Sequence, residues 1–195
     1  MRRFIPFLLG WFILLGVPLS AEWNNIANLK VAILELEDRV AGEEIDTATL
    51  SEMLQLHLVD RNAFQIVERS LVDKILTEQE FQLSGFSSSE MMKIGSLAGA
   101  NKIIAGSVSR INDTYYLLIK GLDTVTGVID LSDQIMAPGL DELLAVLPVL
   151  SERIVRKARG EQVPLYTMTD PAAALPELPG RYAIDGTNPD GSKYY

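Results

Sequence analysis

The stretch from Phe64 to Val108 constrains this chain more than any other. A short apolar run, Phe64 to Val67, predicts a strand, and Ser70 is placed to cap a helix carrying Leu71/Val72 and Ile75/Leu76 one turn apart. A loop from Phe81 to Phe86 follows. Ser87 and Glu90 then stand in capping-box register before a second short helix, with Met91, Ile94, Leu97 and Ala98 expected inward and Gly99 at its end. The strand Ile103 to Val108 closes the unit. Strand, helix, helix, strand within 45 residues predicts an α/β unit with both helices on one face of a sheet.

The flanking sequence extends that unit. Leu29 to Leu36 is nearly continuous in apolar residues, as a central strand covered on both faces should be. Thr47 to Val59 has helical spacing, with Leu50, Met53, Leu54 and Leu58 on one face. The lone histidine, His57, lies on or beside that stripe, where packing explains it better than chemistry. Asn101 to Arg110, Thr114 to Asp123 and Val128 to Ile135 are three strands joined by turn-length connectors. The expected fold is therefore α/β, a mixed sheet of about five strands with helices packed on it, its last three strands an antiparallel meander. In the third of these, Ile129 and Leu131 should face opposite Asp130 and Ser132. Leu140 to Ala158 keeps helical spacing, with a kink or split expected at Pro148.

Three regions are expected along the chain. Met1-Arg2-Arg3, an apolar run to Val17 and the small residues Ser20-Ala21 have the grammar of a secretory signal peptide over 1–21, cut after Ala21; an uncleaved anchor is the alternative. Residues 22–160 form the α/β domain. Residues 161–195 hold five prolines and read as a linker leading to a short β-like tail beginning at Arg181-Tyr182-Ala183-Ile184; a chain truncated at its C-terminus is the alternative.

Composition narrows function. The net charge is −9, and losing Arg2 and Arg3 with the leader takes it to −11, which argues against a nucleic-acid partner. The chain has no cysteine, hence no disulfide, thiolate nucleophile, Cys-ligated metal or lipid-modified cysteine. Glu35, Glu37 and Asp38 gather at the end of the first strand, where ligands of open α/β sheets often bind. An enzymatic use of them needs a base or metal ligand that this sequence hardly offers. No catalytic, cofactor-binding or metal-binding residue is assigned. Phe81, Leu83 and Phe86 are the candidate partner-binding residues, since aromatics dominate interface hot spots; the alternative is that both rings tuck under the adjacent helix.

Val67-Glu68-Arg69, Ile75-Leu76, Glu78-Gln79 and Gln82-Leu83-Ser84-Gly85 together resemble the CsgG/HfaB-type family. So do Ile94-Gly95, Leu97-Ala98-Gly99-Ala100 and Ile103 to Val108, followed by Leu122-Asp123-Thr124-Val125-Thr126-Gly127-Val128-Ile129. The resemblance spans roughly Leu29 to Arg159. It implies a periplasmic α/β domain related to the amino-terminal domain of TolB, working in envelope assembly or export without catalysis. The implied partner is an envelope protein or a second copy, with the domain peripheral to the outer membrane. The channel-forming member of that family is lipidated and inserts long β-hairpins. This sequence has neither the cysteine nor hairpins to spare. The expected function is an exported envelope-assembly or interaction module, the alternative an oligomeric subunit of a curli-type secretion apparatus.

Overall fold

The computed structural model describes residues 26–81 and 85–167. Its elements are β1 (Lys30–Ile33), β2 (Glu37–Asp38), α1 (Thr47–Asp60), β3 (Gln65–Ile66), α2 (Arg69–Glu78), α3 (Ser88–Ala98), β4 (Lys102–Ile111), β5 (Thr114–Asp123), β6 (Ile129–Ala137), α4 (Leu140–Ala145) and α5 (Leu147–Ala158). The sheet runs β3-β1-β4-β5-β6, with β2 also pairing β4. β3, β1 and β4 are parallel, and β4, β5 and β6 form the expected antiparallel meander.

Both faces of the sheet bury apolar side chains. On one, Ile104, Val108, Leu117, Ile119 and Ile135 pack against Leu50, Leu54 and Leu58 of α1 and Leu150 and Ile154 of α5. Leu54 and Leu58 are fully buried, so truncating either to alanine would cost about 2–5 kcal/mol. On the other face, Ala32, Leu34, Ile103, Ala105 and Leu122 pack against Val72, Ile75 and Leu76 of α2 and Met91 and Ile94 of α3. The two helices of the Phe64–Val108 unit share this face, as expected.

Local signals set several boundaries. Asp46 caps α1 by accepting from the Thr49 N–H, and Ser87 and Glu90 close a full capping box on α3. Gly99 ends α3 at φ +63°, a left-handed conformation cheap only without a side chain. Pro148 sits in the first turn of α5, where its missing N–H costs nothing, so the helical pattern splits at Val146.

Three expectations need correction. Ser70 does not cap α2. The helix begins one residue earlier, after Glu68, because Arg69 joins it and pairs with Glu35 at 3.0 Å and Asp73 at 3.4 Å. Leu97 is half exposed, since α3 turns Met91, Ile94 and Gly95 inward instead. The alternation at the start of β6 is broken: Leu131 pairs Gly121 and Ile129 pairs Leu122, leaving Asp130 as the extra residue of a bulge. Ile129 is consequently half exposed. The Asp130 carboxylate turns inward to the buried Lys102 ammonium, which also pairs Asp123 at 3.0 Å.

Candidate functional site

Strand register builds the site. Residues paired across a sheet share a face. Ser107 of β4 pairs Leu118 of β5, which pairs Gln134 of β6, and Glu37 of β2 pairs Ser107 from the other side. These four residues make one row across four strands. The next row is Ala105, Lys120 and Ser132. Both lie on the face that α2 and α3 cover, where those helices pack on Ile103, Ala105 and Leu122 of β4 and β5. Leu118 is 43% exposed and Ile129 50%, and Ser132 and Gln134 face solvent.

The two rows, buried at Ala105 and Ser107 and exposed at Leu118, Ser132 and Gln134, floor a cleft of about 580 Å³. Glu35, Glu37 and Arg39 stand on one side with Gly85 and Phe86, and Lys157, Leu165 and Tyr166 on the other. The loop seats against the floor: a Cβ on Gly85 would lie 3.7 Å from Glu37 Oε1.

The acids gathered after β1 divide their work. Glu35 accepts from Thr47 Oγ1 at 3.2 Å and Arg69 Nη2 at 3.0 Å, joining the starts of α1 and α2. Arg69 Nη1 is buried without an acceptor among the described residues. Asp38 clasps the following loop by accepting from the Val40 N–H at 2.8 Å and the Ile45 N–H at 2.9 Å. Glu37 pairs with Arg39 at 2.6 Å on the cleft wall. Each carboxylate thus has a structural partner. Among the described residues no group of three or more His, Cys, Asp or Glu side chains could hold a metal ion. His57 is half buried beside the α1 stripe; burial, then the neighbouring Arg61, push its imidazole pKa down.

Of the candidate anchors, Phe86 lines the cleft and Phe81 does not. Both are half buried against the α2/α3 core, and the Lys93 ammonium stands 5.1 Å from the Phe81 ring centroid. Leu83 lies outside the described residues. Sequence reasoning missed Leu118, Lys120 and Gln134. Alternating Ser132 and Gln134 on β6 was the available signal, because polar residues at that period mark an uncovered face.

Residues 40–114, from the loop before α1 to the start of β5, match the family model of the curli production assembly/transport component CsgG. Over those residues the chain is CsgG-like. The chain is also similar in fold to the LpoB C-terminal domain from Salmonella enterica, with a TM-score of 0.50 at 16% identity, covering 56% of this chain and 82% of that one. The same domain from Escherichia coli gives a TM-score of 0.50 at 18% identity over the same shares. At such identities the likeness is one of fold. No curated protein matches the sequence. The match ends at Thr114, so most of β5 and all of β6, which supply much of the cleft floor, lie beyond it. The open part of the sheet face thus lies largely in residues that the family model does not cover.

Proposed function

We propose that this CsgG-like chain is an exported, envelope-associated interaction module that holds a protein partner on the open face of β4, β5 and β6. The observation that carries the reading is the row Glu37, Ser107, Leu118 and Gln134 beside Phe86, a mixed apolar and polar row that ends in the exposed Leu118 and Gln134 while Ser107 is buried. Leu118 and the half-buried ring supply apolar area at its centre, and charged side chains supply a polar rim, the anatomy of a protein-binding patch. The family match to an assembly/transport component supports a place in the envelope, and the leader-like residues 1–21 support export.

The outer edge of the sheet argues against growth by strand pairing. Lys157 Nζ donates to the Ser132 carbonyl at 2.7 Å, and the Gln134 N–H donates to Asp133 Oδ1 at 2.9 Å. Charged side chains thereby occupy the backbone groups that a neighbouring strand would use. The second reading, a ring-forming subunit of a secretion apparatus, is favoured only by the family match. Light scattering on a sizing column, with the chain from Glu22 onward, separates the two. A monomer or dimer fits the module; a discrete ring-sized assembly fits the subunit and overturns the proposal.

A further inference from the structure

The polar groups of the cleft divide into those already bonded and those left over. Every carboxylate that lines it has a cation of its own. Arg69 donates to Glu35 at 3.0 Å, Arg39 to Glu37 at 2.6 Å, and Arg153 to both oxygens of Asp133 at 2.8 Å. Lys157 stands as a second cation 3.0 Å from Asp133. The groups left over lie on the floor. Among the described residues, the Lys120 ammonium, the Ser107 and Ser132 hydroxyls and the Gln134 carboxamide make no hydrogen bond or ion pair.

Strand register gathers these four side chains. Lys120 of β5 pairs Ser132 of β6 directly, while Ser107 of β4 and Gln134 of β6 both pair Leu118, the next residue of β5 on that face. Directly paired Cβ atoms lie about 5 Å apart and diagonal ones about 7–8 Å, so the four groups can converge on one ligand beside Leu118. Each of them can donate a hydrogen bond, and an ammonium can only donate. The cleft's acceptors are spent and its donors are free. The acceptor that best answers an unpaired ammonium is an anion, since a bond charged on both sides is the strong one.

We infer that the cleft selects a polypeptide partner by a carboxylate, which accepts from the Lys120 ammonium and from Ser132 or Gln134 while an apolar side chain of the same segment covers Leu118. Lys120 and Leu118 are two residues apart on β5, about 7 Å, the spacing of alternate residues in any extended segment. An Asp or Glu two residues from a Leu or Ile therefore fits both. The charge of the whole chain sharpens the choice. At −9 it repels an acidic segment from most of its surface, so such a segment is drawn in only where a cation stands unpaired. This rests on the interaction reading and deepens it by naming the partner's chemistry.

The test compares two capped peptides, Ser-Glu-Ala-Leu-Ser and Ser-Gln-Ala-Leu-Ser, titrated to millimolar concentration into the isotope-labelled full chain and followed by amide shifts. The glutamate peptide should bind about tenfold tighter, moving the Leu118, Lys120 and Gln134 amides. Lys120→Met keeps the stem, removes only the ammonium and should erase the preference, and Lys120→Arg should retain it. Lys74→Met is the control, because Lys74 is exposed on α2 and pairs with Glu78. Equal binding of the two peptides at these amides overturns the carboxylate inference and leaves the interaction reading standing. A preference that survives Lys120→Met overturns it as well, and so does binding of neither peptide. Shifts at the same amides that grow with protein concentration alone assign the face to a second copy and also overturn it. The interaction reading fails by a different result, the absence of any partner on the face, so the two failures are distinguishable.

Discussion

Arg153 and Asp133 face each other across α5 and β6, the guanidinium donating through Nε and Nη2 to the two carboxylate oxygens at 2.8 Å each. Both side chains are less than a tenth exposed. The pair fastens the last helix to the edge strand, and the same guanidinium donates through Nη1 to the Pro164 carbonyl beyond that helix. Removing one member of a buried pair strands the other charge. Arg153→Met should therefore cost about 3–5 kcal/mol in urea denaturation. A loss under about 1 kcal/mol would show that Lys157, 3.0 Å from Asp133, suffices by itself.

Gly95 is required by Thr124. A Cβ on the glycine would stand 2.2 Å from the Thr124 methyl and 3.3 Å from Ile103 Cδ1. The threonine cannot retreat easily, because its hydroxyl donates to the carbonyls of Ala100 and Asn101. Gly95→Ala should lower stability by about 1–3 kcal/mol. Thr124→Ser keeps the hydroxyl and removes the methyl, so the double variant should recover much of that loss in thermal melts. An additive double variant would contradict the steric account.

Acid should unfasten the turn of the β5–β6 hairpin. Burial alone would raise the Asp123 pKa. Hydrogen bonds from Thr126 and the Lys102 ammonium outweigh it, and the carboxyl is held at about 2. A folded pKa below the unfolded one gives stability that is present above the unfolded value, near 4, and lost as pH falls toward 2. The contribution is at most about 2–3 kcal/mol. Stability followed from pH 5 to 2 should fall, and Asp123→Asn should flatten that part of the profile. An unchanged slope would remove Asp123 as its cause.

Phe86→Ala should weaken partner capture while leaving the domain folded, because the ring is half buried at the edge of the α2/α3 core. Binding and the melting temperature are measured on the same variant. A drop in melting temperature matching that of a core truncation such as Ile94→Ala would make Phe86 a packing residue.

Much of this architecture was legible because its causes are local. Ser87 with Glu90, Gly99 and Pro148 each act within a turn of their own position, and the meander follows from short connectors between alternating strands. The start of α2 was not legible, since Arg69 is drawn into the helix by Glu35, 34 residues away. Nor was the inward turn of Asp130, which answers a buried lysine 28 residues earlier. The candidate site was hidden for a related reason. Leu118 reads as one more apolar residue of an interior strand, and only the extent of α2 and α3 decides that its face stays open.

The most direct test places a photo-crosslinking amino acid at Leu118, or at Leu56 as the control, in the full chain expressed in its native cell envelope. The interaction account predicts defined adducts with another polypeptide from Leu118 and none from Leu56. Adducts no more abundant from Leu118 than from Leu56 would contradict it.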